Sequence, residues 1–120
     1  MSDRVPDCLF CRVVAGEVPA DVVHEDELTV AFRDISPVAP THVLVVPRRH
    51  IEHAGALTSD HAADLAAVMA SAQAVAEAEG LAAPERGYRL VCNVGPDALN
   101  SVPHLHVHVI GGRSMSWPPG

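Results

Sequence analysis

The segment His104-Leu105-His106-Val107-His108-Val109-Ile110 alternates histidine with apolar residues, and a period of two is typical of a β-strand. Successive side chains of a strand point to opposite faces, so the three imidazoles would share one face and the apolar residues the other. The rings would follow one another at about 6.6 Å along the backbone. The segment therefore predicts a strand with one face for the core and one face for chemistry.

A row of histidines on one strand face fits two different chemistries. Histidines at positions i and i+2 are a frequent ligand pair for metal ions. A neutral imidazole, whose ordinary pKa is near 6.5, is also a nucleophile that can attack phosphorus at neutral pH. The spacing alone leaves both possibilities open.

Patterns on either side of the histidine row predict the remaining elements. Apolar spacing predicts a short helix over Asp7 to Val14, ended by Pro19, and a long helix from Thr58 or Ser59 to Gly80. Its apolar stripe comprises Leu65, Val68, Met69, Ala72, Val75 and Ala76. Further strands are predicted at Asp21 to Glu25, Leu28 to Asp34, Thr41 to Arg48 and Tyr88 to Asn93.

This order of elements predicts an α+β fold rather than repeated βαβ units. We expect a five-stranded, mainly antiparallel sheet with one short N-terminal helix and one long helix. The run Val43-Leu44-Val45-Val46 is typical of a buried central strand. No linker or repeat interrupts the chain, so residues 1–120 should form a single domain.

Composition narrows the classes of partner. The chain has 120 residues, 48% of them hydrophobic, and a formal net charge of −7 at pH 7. An acidic chain without a basic stripe repels a phosphate backbone, so polymeric nucleic acid is not an expected partner. No stretch is apolar enough for a signal peptide or a membrane span, so we expect a soluble cytoplasmic protein without a membrane partner.

The histidine row has the form His-x-His-x-His-x-x with apolar residues at x, and it resembles the signature of the histidine triad (HIT) hydrolases and nucleotidyl transferases. Together with the ending Trp117-Pro118-Pro119-Gly120, the chain is similar to the Hint branch, whose members act as purine nucleoside phosphoramidases. The resemblance implies a HIT-like fold. Other matching segments are Phe32 to Pro37, Ala39 to His42, Pro47 to Ile51, Asn93 and Gly111 to Arg113.

The resemblance assigns catalytic roles. In the family, the residue matching His106 attacks the α-phosphorus, and water then hydrolyses the nucleotidyl-imidazole. Its other ring nitrogen must donate to a backbone carbonyl, so that the attacking nitrogen carries the lone pair. His108 matches the residue that hydrogen-bonds the phosphoryl oxygens. His42 and Ser101 match positions that assist the leaving group and the proton relay.

Nucleoside recognition carries over in the same way. Asp34 matches the carboxylate that accepts from both ribose hydroxyls, although a residue before Ser36-Pro37 could also serve as a turn cap. Phe10, Val13, Phe32 and Ile35 match the apolar walls around the base, although such residues are often plain core. Asn93, Asn100 and Trp117 complete the substrate-binding set.

A Cys-x-x-Cys pair is a weak zinc signal by itself, because two of four ligands are missing. In many bacterial HIT proteins the missing ligands match His50 and His104, which with Cys8 and Cys11 would close a Cys2His2 site. We expect a structural zinc ion that ties the N-terminal helix to the sheet, and no organic cofactor. His53 is the alternative ligand.

Two departures from the Hint pattern affect the substrate. Leu99 stands where the branch has glycine, and Asn100 stands where it has glutamine. The leading function is hydrolysis of purine nucleoside 5'-phosphoramidates to an amine and AMP or GMP. The alternatives are a dinucleoside polyphosphate hydrolase and a nucleotide-binding interaction protein with vestigial activity.

Trp117, the only tryptophan, lies in a proline-rich tail. In the Hint branch this tail crosses a dimer interface and reaches the partner's active site. We therefore expect a homodimer in which the long helix and the strand Tyr88 to Asn93 supply the interface.

Overall fold

The computed structural model describes residues 4–120, so the first three residues of the predicted single domain lie outside it. It contains a five-stranded sheet in the order β1-β2-β3-β5-β4, with every neighbouring pair antiparallel. This confirms the predicted α+β fold. The elements are α1 (Leu9–Val14), β1 (Val22–Glu25), β2 (Thr29–Arg33), β3 (Thr41–Pro47), α2 (Ala62–Ala78), β4 (Tyr88–Val91) and β5 (Val107–Gly111).

Strand β3 is the centre of the molecule, as its continuous apolar run predicts. All seven of its residues are buried. Val43 and Val45 pack with the α2 residues Val68 and Ala72. Leu44 points to the other face, where it packs with α1. A hydrophobic core therefore lies on each face of the sheet. The continuous apolar run of β3 reflects this burial on both faces.

The hairpin between β1 and β2 is closed by a side chain. Asp26 Oδ1 accepts from the backbone N–H groups of Leu28 at 2.9 Å and Thr29 at 2.8 Å. Its Oδ2 accepts from the Ser71 hydroxyl of α2 at 3.0 Å. An Asx-type turn thus forms the hairpin and also joins it to the long helix.

The structure corrects the predicted start of the last strand. Strand β5 begins at Val107 and not at His104. The backbone N–H of Leu105 donates to the carbonyl of Ile51 at 2.6 Å, so the chain at His104 to His106 is bonded outside the ladder of β3. The alternation nevertheless persists, with Leu105, Val107 and Val109 all buried.

Both helices differ from their predicted bounds. Helix α1 ends at Val14, well before Pro19, and Gly16 then adopts a positive φ of 78°. Helix α2 begins at Ala62, because Ser59–His61 form a 3-10 turn capped by Thr58.

The apolar stripe of α2 is narrower than predicted. Val68, Ala72, Val75 and Ala76 are buried as expected. Leu65 and Met69 remain 39% and 44% exposed, because the sheet covers only the centre of the stripe. Within residues 4–120, no helix is both long and apolar enough to cross a bilayer.

Candidate functional site

His106 lies just before β5 with its imidazole fixed in one orientation. Its Nδ1 lies 2.7 Å from the backbone carbonyl of His104, which can only accept, so Nδ1 carries the proton. The Phe10 ring packs edge-on against it, with ring centroids 5.1 Å apart. In the neutral ring the lone pair is therefore on Nε2, which is the arrangement that a nucleophile requires.

His108 follows on the same face, and the centroids of the two rings are 5.1 Å apart. This separation is shorter than the spacing of about 6.6 Å expected along a strand, and the two ring planes cross at 61°. His104, in contrast, contacts the two N-terminal cysteines. The predicted row of histidines therefore divides into a reactive pair and a cysteine-bound member.

A chain of hydrogen bonds sets the tautomer of His108. The backbone N–H of Val38 donates to His42 Nδ1 at 3.1 Å, which leaves the proton of a neutral His42 on Nε2. His42 Nε2 lies 2.8 Å from His108 Nδ1, so it donates there. The proton of a neutral His108 is then on its Nε2, a buried nitrogen with no hydrogen-bond partner in the part of the chain that the structure describes.

Burial keeps His108 neutral. Burial, followed by the nearby His106 and His42, lowers the pKa of this histidine to about 4, although Asp34 acts in the opposite direction. His108 is thus uncharged at neutral pH. Its buried N–H has no acceptor among the described residues. A buried donor without an acceptor costs free energy, so a ligand oxygen that accepts from it would bind favourably.

Asp34 caps a turn, which is one of the two roles that the sequence left open, and its ribose-binding role stays a prediction. Its Oδ1 accepts from the Ser36 backbone N–H at 2.7 Å, as a turn cap does. Its Oδ2 lies 3.4 Å from His42 Nε2, at the edge of the histidine cluster. The turn therefore holds the carboxylate at the site.

A mainly apolar cavity of about 670 Å³ is lined by Asp34 and by Phe10, whose ring contacts His106. His42, His106 and His108 are not among its lining residues. The cavity is large enough for a small organic ligand. The Phe10 and Phe32 rings meet edge to face in its wall, with centroids 5.4 Å apart. Six residues from the predicted site line it together: Phe10, Val13, Phe32, Asp34, Ile35 and Ser101.

Three predicted substrate-binding residues do not line this cavity. Asn93 is half-buried, and Asn100 has a buried Oδ1 without a protein partner among residues 4–120. Trp117 is 82% exposed. Its predicted contact is with a second subunit, so its role stays a prediction.

Other residues of the site were missed. Val38 orients His42 through a backbone N–H, for which a sequence carries no side-chain signal. Leu44 lines the cavity, and its place two residues after His42 in β3 could have revealed it, because residues i and i+2 share a strand face. Val18 lies in an irregular loop with no periodic pattern.

The four predicted metal ligands, Cys8, Cys11, His50 and His104, form one cluster. Their ligand atoms all lie within 4.8 Å of one another. The sulfur-to-nitrogen distances are 3.2 Å for Cys8 to His104 and 3.3 Å for Cys11 to His50. Tetrahedral bonds of about 2.3 Å to sulfur and 2.0 Å to nitrogen would separate such atoms by about 3.5 Å. The cluster therefore has the size and donor set of a metal site, whereas His53 lies apart and caps Gly55.

His104 is oriented for ligation. Its Nε2 donates to the Pro47 carbonyl at 2.8 Å, which leaves the lone pair of Nδ1 directed at the cysteines. Burial lowers its pKa to about 4, so the ring is neutral, as a metal ligand must be. Burial raises the pKa of the Cys11 thiol, which favours an unreactive thiol unless a cation is bound.

A second group, formed by Asp34, His42 and His108, also has its potential ligand atoms within 4.8 Å. In this group, His42 Nε2 donates to His108 Nδ1, and His42 Nδ1 accepts from the Val38 N–H. The histidine lone pairs are therefore used within the protein, and this group is better suited to moving protons.

Leu99 occupies an unusual backbone position. Its φ is 61°, in the left-handed region that favours glycine, and its side chain is 85% exposed. The departure from glycine noted in the sequence thus coincides with backbone strain.

Known proteins are similar to this chain along nearly its whole length. A protein from Synechococcus elongatus called an uncharacterized HIT-like protein is 45% identical over 114 residues, covering 95% of this chain and 97% of its own. A 14 kDa zinc-binding protein from Zea mays is also 45% identical over 114 residues, covering 93% of this chain and 87% of its own.

A crystal structure gives the same result in three dimensions. The HIT family hydrolase from Legionella pneumophila superposes with a TM-score of 0.91 at 48% identity, covering 95% of this chain and 100% of that one. The model of the HIT domain matches residues 15–115. The chain therefore belongs to the HIT domain family.

Proposed function

We propose that this protein hydrolyses purine nucleoside 5'-phosphoramidates through a covalent nucleotidyl-histidine at His106, as a member of the Hint branch. The observation that carries the proposal is the bond from His106 Nδ1 to the carbonyl of His104 at 2.7 Å. It leaves the lone pair on Nε2 of a ring that packs against Phe10, and Phe10 lines the apolar cavity. The name of the similar Legionella pneumophila protein, a hydrolase, supports an enzyme.

The proposed reaction has two displacements at phosphorus. His106 Nε2 forms a bond to the α-phosphorus as the bond from phosphorus to the leaving amine breaks, and the amine takes up a proton. Water then attacks the same phosphorus, and the bond to Nε2 breaks to release AMP or GMP. Two easier steps replace one difficult displacement at an anionic centre.

Stabilisation of the phosphoryl oxygens falls to His108 in this proposal. Its Nε2 is a buried donor without a protein partner among the described residues. A pKa of about 4 keeps the ring neutral, so its tautomer stays fixed at the working pH. Such a preorganised donor is worth more in a water-excluded site than in solvent. Ser101, which lines the cavity, and His42 are proposed to deliver the proton to the leaving group.

Nucleoside binding is proposed for the apolar cavity. Phe10, Val13, Phe32 and Ile35 supply its hydrophobic wall, as expected of a pocket for a flat base. Asp34 places a carboxylate oxygen at the same cavity, where it can accept from ribose hydroxyls. The combination of an apolar wall and the Asp34 carboxylate, which the Ser36 N–H holds in place, supports a ribonucleoside ligand.

We propose zinc as the ion of the Cys8, Cys11, His50 and His104 cluster. Two thiolates and two neutral imidazoles are the donor set that Zn²⁺ prefers, and four protein ligands leave no open position for catalysis. The zinc-binding name of the relative from Zea mays supports this identity. When bound, zinc would contribute folding free energy by joining α1 to the segment before β5.

We also propose that the chain is a single HIT domain that acts as a homodimer. Strand β4 is an edge of the sheet, and Leu90 on it is 38% exposed. Leu65 and Met69 on α2 are exposed as well, and apolar residues left in solvent favour pairing. In this arrangement Trp117 would complete the partner's site.

The test uses a fluorogenic adenosine 5'-phosphoramidate and intact-protein mass spectrometry. A rapid release of amine, followed by slower turnover, with one nucleotidyl group on the protein, is the expected result. His106→Ala should show neither the burst nor the adduct. His53→Ala, at a histidine that accepts from the Gly55 N–H and belongs to neither histidine cluster, should show both. Amine release by His106→Ala at the native rate would refute the mechanism. Faster cleavage of a dinucleoside polyphosphate would instead favour the alternative substrate class.

A further inference from the structure

The arginines of this protein fall into two groups. The chain has eight basic residues, all of them arginine. Five form ion pairs with a carboxylate, namely Arg4, Arg12, Arg33, Arg48 and Arg49. No carboxylate of residues 4–120 pairs with Arg86, Arg89 or Arg113. These three arginines line one cavity of about 350 Å³.

We propose that this arginine cavity, formed by Arg86, Arg89 and Arg113, binds a small multivalent anion of the diphosphate type. It shares no lining residue with the apolar cavity beside His106, so it is a second site. Glu85 is the one carboxylate in its wall. Three guanidinium groups against one carboxylate give the wall a formal charge of +2, within a chain of net charge −7.

Two of the guanidinium groups are held in place without being neutralised. Arg113 Nε donates to the Val38 carbonyl at 3.1 Å, and one of its Nη atoms donates to the Ser114 carbonyl at 3.2 Å. Arg89 donates to the carbonyl of Ser116. Carbonyl acceptors fix the direction of these side chains but leave their full charges and several N–H groups available.

Charge and size favour a small anion. Three like charges around one cavity repel one another, and an anion that binds all three removes this cost. Arginine is suited to phosphate oxygens because its planar N–H groups form paired, charge-assisted hydrogen bonds. A cavity of about 350 Å³ in an acidic protein does not suit a long nucleic acid, which needs an extended basic surface.

The test is a titration with inorganic diphosphate, followed through the Nε–Hε NMR signals of the arginines. The signals should be assigned with single Arg→Lys variants. We expect saturable shifts of Arg86, Arg89 and Arg113, with little change at Arg48. Arg86→Gln should weaken binding by about tenfold, because it removes charged hydrogen bonds to the anion. The Arg86 side chain forms no hydrogen bond within residues 4–120 that this substitution could disturb. Arg48→Gln, at an exposed arginine paired with Glu25, is the matched control and should bind normally.

Three results would overturn the proposal. The signals could fail to saturate, or all eight arginines could shift together, which would indicate general screening by the anion. The three signals could also shift on dilution of the protein without diphosphate, which would mean that a second copy of the chain fills the cavity. The readout is independent of turnover, so failure here would leave the proposed hydrolase untouched.

Discussion

His42 Nε2 donates to His108 Nδ1 across the centre of the sheet, over a distance of 2.8 Å. Strands β3 and β5 are neighbours in the sheet, and both histidines lie on the face opposite α2. The bond fixes which nitrogen of His108 faces the ligand as a donor. In the proposed mechanism, His42 would thus control the hydrogen bond from His108 to the phosphate without contacting the phosphate itself.

The first prediction concerns this bond. His42→Phe should lower kcat by about 10²-fold or more, because it removes both the N–H that His108 accepts and a proton-transfer group. His42→Gln should keep part of the activity, because a glutamine amide can still donate an N–H to His108. Steady-state kinetics of both variants, with circular dichroism as a folding control, would check it. Equal losses in the two variants would contradict the tautomer argument.

The second prediction concerns Asp34. Asp34→Ala should raise KM for ribonucleotide substrates by about tenfold and reduce the preference over deoxyribonucleotides, since charged acceptors of ribose hydroxyls contribute about 1.5–3 kcal/mol. Asp34→Asn retains an oxygen for the Ser36 N–H and serves as the control for the turn. KM values for ribo and deoxy substrates would be compared. An unchanged preference in both variants would exclude the ribose role.

The third prediction concerns Leu99, whose backbone φ of 61° is unfavourable for a residue with a side chain. Leu99→Gly should be more stable than Leu99→Ala by about 1 kcal/mol, because only glycine adopts this backbone region freely. The side chain is 85% exposed, so both variants lose little burial. Urea unfolding of the pair would measure the difference. Equal stability would show that the loop relaxes.

Much of the fold followed from hydrophobic patterns, because burial on one or both faces leaves a period in the sequence. The pattern of β3 predicted both its place in the sheet and its burial. The start of β5 could not be predicted, since the Leu105 N–H is taken by Ile51, more than fifty residues away in the chain. The exposure of Leu65 and Met69 could not be predicted either, because it depends on how much of α2 the sheet covers.

The sequence predicted the site residues that act through their side chains. It did not predict those that act through backbone groups. The resemblance identified the four members of the cysteine and histidine cluster, which the structure brings together, and Asp34, which lines the apolar cavity. The contribution of Val38 comes from its N–H, which every residue except proline possesses. Only the three-dimensional path of the loop before β3 could reveal it.

The fourth prediction separates the metal from catalysis. Cys8→Ser should lower Tm by about 5 °C or more and reduce bound zinc, because the ion joins α1 to the sheet. Cys92→Ser is the matched control, since Cys92 is exposed and outside the cluster. Turnover at low temperature should survive in both variants. Elemental analysis showing no stoichiometric zinc in the native protein would contradict the assignment.

The last prediction concerns assembly and the C-terminal tail. We expect light scattering to show a homodimer at micromolar concentration, since Leu65, Met69 and Leu90 expose apolar surface on α2 and the edge strand β4. Met69→Glu should shift the protein toward monomer, because a buried unpaired charge is costly. Val22→Glu, on β1 at the opposite edge of the sheet, should leave the dimer intact.

Removal of Met115 to Gly120 should then impair turnover more than dimerisation. The tail contributes Trp117, which is 82% exposed in one chain and is predicted to reach the partner's site, whereas α2 and β4 carry the apolar interface. Trp117→Ala in the full chain separates the loss of this side chain from the loss of the tail, which also holds Arg89 through Ser116. A native protein that is monomeric, with a truncated form that is fully active, would refute both the dimer and the shared site.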